Sequence, residues 1–178
     1  GHPALENHPM TTKHSWRNRT VPLQLHGDGT PIVGVGKAWS KLLDTYSFSS
    51  VLAQGTTLDF TLLIYSVFLH LLTKDSMKCV WRVICWSCNA LASGRWPTHD
   101  AFGRRYSEHA PDGLDAKRAG KELANGFCGV VWVVRGDLDY YGNTLHLNSH
   151  TSNRPCSWCP ANSTVGDPCC WTEFRPGH

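Results

Sequence analysis

Apolar and polar positions alternate first over residues 21–26, where Val21, Leu23 and Leu25 fall on one side, and this period predicts a strand. Gly27-Asp28-Gly29 follows and reads as a turn. Residues 31–35 are then expected to return as a second strand, and residues 46–52 to form a third, broken at Gln54-Gly55. From 56 to 74 the period changes. Leu58, Leu62, Tyr65, Leu69 and Leu72 recur at helical spacing, with Thr56 or Thr57 as cap and Asp59 near the positive end of the helix dipole. A second helix is predicted over 76–93, with Val80, Val83, Ile84, Ala90 and Leu91 inward and Gly94 as its stop. Residues 95–113 read as a loop and 115–124 as a short charged helix. The unbroken apolar run Val130, Val131, Trp132, Val133 and Val134 has the form of a strand buried on both faces, ending at Arg135-Gly136-Asp137. Beyond it the chain is polar and rich in His, Asn, Cys and Pro.

The organisation that follows is a polar N-terminal segment at 1–20, an α/β core at 21–145 and a Cys/His-rich segment at 146–178. The 178 residues suit one domain of this kind, and 41% hydrophobic content with eight Trp gives it material for a core. A net charge of +3 permits a nucleic-acid partner without the clustered basic stripe that would announce one. No apolar segment near the start resembles a secretory signal. The longest apolar stretch, 60–72, contains His70 and falls short of the roughly 20 residues of a membrane helix. The expected location is therefore nuclear or cytoplasmic. The chain opens on Gly1 without Met and stops after a Cys- and Trp-rich stretch, which leads us to expect a piece of a longer protein.

Eight Cys are unevenly spaced: pairs at Cys85/Cys88 and Cys156/Cys159, a vicinal Cys169-Cys170, and single Cys79 and Cys128. Without a secretory signal, metal binding and buried thiols are favoured over disulfides. Cys156 and Cys159 lie in a polar, Pro-flanked loop, where two thiolates can grip one tetrahedral Zn²⁺. His150 is the natural third ligand, and His146, Cys169, Cys170 or a residue further on could be the fourth. A redox pair would want a helix N-terminus to lower the thiol pKa, and Pro160 does not promise one. Cys85 and Cys88 have the same spacing but fall in a helical pattern beside Ile84 and Leu91, which predicts core thiols. Gly34, Gly36 and Lys37 lack the spacing of a phosphate loop. His2, His8, His14, His99 and His109 have no ligand spacing and are expected at the surface.

A second candidate is the carboxylate pair Asp28 and Asp137, each reached from a strand through a Gly. Carboxylates at the exits of neighbouring strands can hold Mg²⁺ or Mn²⁺, and two such ions can clamp the attacking and leaving oxygens of a phosphodiester. Gly-Asp-Gly is also an ordinary turn, and Asp139 is close enough to exchange with Asp137.

The order of features over 130–159 is an apolar strand, then Gly136-Asp137, then Ser149-His150, then Cys156 and Cys159. It resembles the core of CACTA-type cut-and-paste transposases. The resemblance implies an RNase H-like mixed sheet flanked by helices, in which Asp28 and Asp137 are two of three acids binding divalent metal, with transposon-end DNA as substrate. It also implies a structural Zn²⁺ at the zinc-knuckle-like Cys156/Cys159 segment. The third acid would stand on a helix beyond Cys159, where only Glu173 in a Trp- and Pro-rich segment is at hand, so the implied enzyme is incomplete and inactive alone. The alternative is a non-enzymatic zinc-knuckle domain binding nucleic acid or protein, or a relic without function. The expected arrangement sets the strand bearing Asp28 beside 129–136, with helices 56–74 and 76–93 covering the sheet.

Overall fold

The structure is a computed structural model and describes residues 6, 9–33, 41–149, 151–157 and 159–170. Four strands form one mixed sheet: β1 (Thr20–Val33), β2 (Lys41–Ser50), β3 (Leu62–Phe68) and β4 (Cys128–Arg135), in the order β3-β2-β1-β4. β1, β2 and β3 are antiparallel neighbours, whereas β4 lies parallel to β1. The expected neighbourhood of β1 and β4 is therefore borne out, and the chain is a mixed α/β fold.

Four short or medium helices accompany the sheet: α1 (Trp16–Arg19), α2 (Thr57–Phe60), α3 (Ser76–Ser93) and α4 (Gly113–Arg118). α3 matches the predicted span, buries Ile84, and packs along β4, where the Leu91 Cβ stands against Gly129. It ends because Gly94 takes a left-handed φ of 67° and returns its N–H to the carbonyls of Ala90 (3.0 Å) and Leu91 (3.2 Å). Two further end carbonyls, of Ala92 and Ser93, accept the Lys13 ammonium at 3.1 and 2.7 Å. Lys13 thereby ties the N-terminal segment to the core, and Met10 beside it is buried.

Three expectations are overturned. The helix expected over 56–74 is a single turn, α2, followed by β3 and a 3-10 turn at Leu69–Leu71. Thr56 and Asp59 do cap α2: the Thr56 N–H and hydroxyl donate to Asp59 Oδ2 at 3.3 and 2.7 Å. From Leu62 on, however, Ile64, Tyr65, Val67 and Phe68 favour a pleated surface, and β2 supplies a partner, so pairing overrides the helical spacing. Second, no turn occurs at Gly27-Asp28-Gly29. β1 runs straight through, pairing Gly27 with Tyr46, Asp28 with Thr45 and Gly29 with Asp44, so the expected return strand at 31–35 is the far end of β1 as far as Val33. Residues 34 and 35 lie outside the described residues. Third, β4 is not buried on both faces: Cys128 and Gly129 are buried, but Trp132 and Val133 are exposed. The short helix expected over 115–124 is α4, which starts earlier and stops at Arg118.

α3 covers the face carrying Leu23, Leu25, Tyr46 and Phe48, enclosing an apolar cavity of about 370 Å³. The opposite face carries a polar row set by the β1–β2 register: Gln24 opposite Ser49, His26 opposite Ser47, Asp28 opposite Thr45. Gln24 Nε2 donates to Ser49 Oγ at 2.6 Å, and Arg135 donates to Gln24 Oε1 at 3.3 Å. The β2–β3 connection with α2 folds over part of this face. Among the described residues no helix is long and apolar enough to cross a membrane.

Candidate functional site

The site begins at the turn that leaves β4. Asp137 follows Gly136, and its Oδ1 accepts the backbone N–H of Tyr140 at 2.6 Å. This bond opens a five-residue π turn, Tyr140–Thr144, closed by Leu145 N–H on the Tyr140 carbonyl at 3.2 Å. Tyr141 fixes the turn to the strand, its hydroxyl donating to the Val134 carbonyl at 2.9 Å. Such single π turns often occur where side chains must be aimed.

The turn delivers the Tyr140 ring onto the sheet. The ring lies against Gly27 and Gly136 so closely that a Cβ on either glycine would collide with it. Tyr140 meets Tyr46 edge-on at 5.9 Å, and Tyr46 stacks on Tyr65 at 4.7 Å and meets Trp81 edge-on at 5.7 Å. Burial pushes the phenol pKa of Tyr46, Tyr65 and Tyr140 upward. The Tyr46 hydroxyl is buried against the phenols of Tyr65 and Tyr140.

Beside this aromatic cluster β2, α3 and the post-β4 turn enclose a cleft of about 740 Å³. Asp44, Asp137 and Asp139 line it, together with Lys78 and His146. Asp44 is only 8% exposed. Burial, and then the negative charge of Asp28, hold its carboxyl above the ordinary carboxylate range.

Asp28 differs from its expected setting. It stands mid-strand in β1, exposed and opposite Thr45, rather than at a strand exit, and it does not line the cleft. In the parallel β1–β4 register His26 pairs with Arg135, so Asp28 and Asp137 each stand two residues beyond the last matched pair. The site residue that pattern reading missed is Asp44. Its signal was present: in the alternation Leu42, Asp44, Tyr46, Phe48 a carboxylate occupies a slot otherwise filled by apolar side chains.

The Cys-rich segment is organised differently. Cys156 is half-buried and Cys159 exposed. The Cys156 thiol, hydrogen-bonded to Cys159, is the largest influence raising the Cys159 pKa, and Cys169 is near enough to add to it. Asn162, 4% exposed, pins the loop: its N–H donates to the Cys169 carbonyl at 3.0 Å, and its Oδ1 accepts the Thr164 N–H at 2.9 Å. His150 lies outside the described residues, as does Glu173. Among the described residues no group of three or more His, Cys, Asp or Glu side chains is placed to hold a metal ion. The two neighbouring thiols suit half of a Zn²⁺ site, and the carboxylates of the cleft suit a hydrated Mg²⁺ or Mn²⁺, which takes one or two carboxylates and keeps water.

Of the other pair, Cys85 is exposed and Cys88 half-buried, so Cys85 is not the core thiol expected from its helical setting. It points away from the sheet because α3 turns Ile84 and Leu91 inward. Burial, and then Cys85, push the Cys88 thiol up.

Comparison of the chain with protein-family models, with curated proteins and with solved structures finds no match.

Proposed function

We propose that this chain is the sheet-forming part of a DDE/D-type, transposase-like nuclease core of RNase H-like architecture, acting on DNA phosphodiesters. The observation that carries the reading is the β1–β4 seam. Three antiparallel strands are joined by a fourth parallel to the first, and Asp137 follows the end of β4 next to the strand that carries Asp28. A divalent Mg²⁺ or Mn²⁺ held there would supply an activated water and neutralise charge developing on the phosphate. The protein's own part is positioning. Tyr140 N–H fixes one Asp137 oxygen and leaves the other for a ligand. The Arg135 and His26 side chains lie on the same polar face and offer positive charge to a phosphate backbone.

The test is nicking of supercoiled DNA in Mg²⁺ and Mn²⁺ by the chain and by a form extended past His178, each with Asp137→Asn as control. Cutting by the extended form that Asp137→Asn abolishes is expected. Equal cutting by the variant removes Asp137 from the reaction, and no cutting in either metal overturns the nuclease reading.

A second reading, a non-enzymatic zinc-knuckle domain for nucleic acid or protein, is favoured by one observation: the Cys156 thiol lies close enough to Cys159 to raise its pKa. DNA binding lost on zinc chelation, with no cutting under any condition, would select it.

A further inference from the structure

The face of the sheet turned away from α3 holds a polar cleft of about 430 Å³, roofed by the β2–β3 connection that carries α2. Its floor follows from strand register. His26 of β1 lies opposite Ser47 of β2 on one side and beside Arg135 of β4 on the other, so residues from three strands stand in one row. Gln24 and Ser49 make the next row. The two rows are tied together through Gln24, whose amide donates to Ser49 Oγ at 2.6 Å and accepts from Arg135 at 3.3 Å. One N–H of the guanidinium is thereby fixed at the cleft, and an arginine has further N–H groups to offer. The roof contributes an aromatic wall. The Phe60 ring lies where a Cβ at position 55 would stand, and Gly55, at a φ of 134°, lets the ring close down on the loop. Among the described residues none that lines the cleft is acidic: Asp28, next after His26 on the same face, and Asp59, which caps α2, both lie outside it. The ion pairs among the described residues belong to Arg104, so no carboxylate there neutralises Arg135.

We propose that this cleft binds a phosphate monoester that carries a nucleobase, with the phosphate on Arg135 and His26 and the base against Phe60. A guanidinium beside an imidazole on a cleft wall without acids suits a phosphate, whose oxygens accept two N–H groups of an arginine at once. The Ser and Gln side chains between the two ends offer hydrogen bonds to a sugar. A phenyl ring stacks on any base, so this end selects a flat body and not a sequence. The volume lies in the range of small-ligand sites. The inference goes beyond the nuclease reading and does not depend on it: no metal is needed, and Asp137 lies outside the lining, which ends at Gly136. A free nucleotide and the phosphorylated end of a DNA strand present the same chemistry to the cleft.

The experiment is calorimetric titration of the purified chain, in buffer with a metal chelator, with deoxyadenosine 5′-phosphate, deoxyadenosine and inorganic phosphate. The parent, Arg135→Gln, Phe60→Leu and Arg82→Gln are compared, and circular dichroism checks that each is folded. The nucleotide should bind the parent more tightly than either of its parts. Arg135→Gln should weaken the nucleotide roughly tenfold, the loss of one charge-assisted contact. Phe60→Leu should weaken the nucleotide roughly fivefold and leave inorganic phosphate unchanged. Arg82→Gln removes the same charge from exposed α3, where the guanidinium lies over Phe102, and should bind as the parent does. No binding by the parent at millimolar nucleotide overturns the proposal. So does a loss in Arg82→Gln as large as in Arg135→Gln, which makes the effect one of general charge, and so does nucleotide affinity indifferent to both Arg135→Gln and Phe60→Leu. Competition by a 5′-phosphorylated oligonucleotide, and not by its 5′-hydroxyl form, identifies a DNA end as the source of the phosphate; failure of both to compete identifies the free nucleotide, and either result upholds the site.

Discussion

Tyr140 sits on Gly27: the ring lies where a Cβ at position 27 would have to be, and it covers Gly136 on the neighbouring strand in the same way. One side chain thus locks the turn after β4 onto β1 and onto the end of β4. Gly27→Ala should destabilise the fold by about 1–3 kcal/mol, the range for forcing extra atoms into a packed site. Gly136→Ala should do the same. Combining Gly27→Ala with Tyr140→Leu should cost less than the two single changes added, which urea unfolding of the four species measures. Strict additivity would mean that the ring and the glycine do not share a space.

Asp44 gives a pH-dependent prediction whose sign is fixed. Its carboxyl is raised in the fold by burial and by Asp28, so the folded state holds the proton more tightly than the unfolded chain. The group therefore costs no stability below the unfolded pKa of about 4, and costs progressively more as pH rises through the folded value. Asp44→Asn removes that cost. In metal-free buffer the variant should melt higher than the parent at pH 7, by roughly 2–4 °C for each 1 kcal/mol recovered. The gain should vanish near pH 3. A variant less stable than the parent at pH 7 would show that the carboxylate is paired after all.

Asp112 should behave in the opposite way. The Arg104 guanidinium, which also reaches Asp100 at 3.1 Å, is the main cause that holds Asp112 below the ordinary carboxylate range, followed by the Ser107 N–H. A depressed folded pKa contributes stability above the unfolded value and loses it as pH falls through the folded one. Asp112→Ala should loosen the loop between α3 and α4 at neutral pH, seen as faster amide exchange over 100–112. It should also flatten the acid limb of the stability profile. Exchange rates equal to those of the parent would remove this pair from the structure's supports.

Purified protein should carry one Zn²⁺ per chain through Cys156, Cys159 and His150. Metal analysis should find it lost in Cys156→Ser and retained in Cys85→Ser. Zinc content indifferent to Cys156→Ser would leave the two thiols as a hydrogen-bonded pair and nothing more.

How far the fold could be read from residues depended on what else each pattern could mean. Residues 76–93 have one reading: an amphipathic period closed by Gly94, and α3 has those bounds. The β4 run Val130 to Val134 likewise has the length and branching of a strand. Residues 62–68 have two readings, because Leu62 and Tyr65 fit a helix face while Ile64, Val67 and Phe68 fit a pleat. β2 decides between them, and β2 is distant information. Gly27-Asp28-Gly29 misled for a different reason. Glycine there serves the approach of Tyr140, more than a hundred residues away, and not a local turn. Asp137 was legible because it follows the clearest strand. Asp44 was not, since its meaning comes from a cleft whose other walls are α3 and the turn after β4.

The order in which the strands pair has a kinetic consequence. β1, β2 and β3 each pair with a sequence neighbour, so that meander closes over short separations along the chain. β4 reaches β1 only after the whole of α3 and α4 has been traversed, which makes this pairing the long-range and slower event. Asp28 and Asp44 ride on the early meander, whereas Asp137 arrives with the last strand. Closing the β1–β4 seam is therefore the step at which the turn after β4 and its Tyr140 ring first meet Gly27, and a chain arrested before it would lack the cover of that glycine.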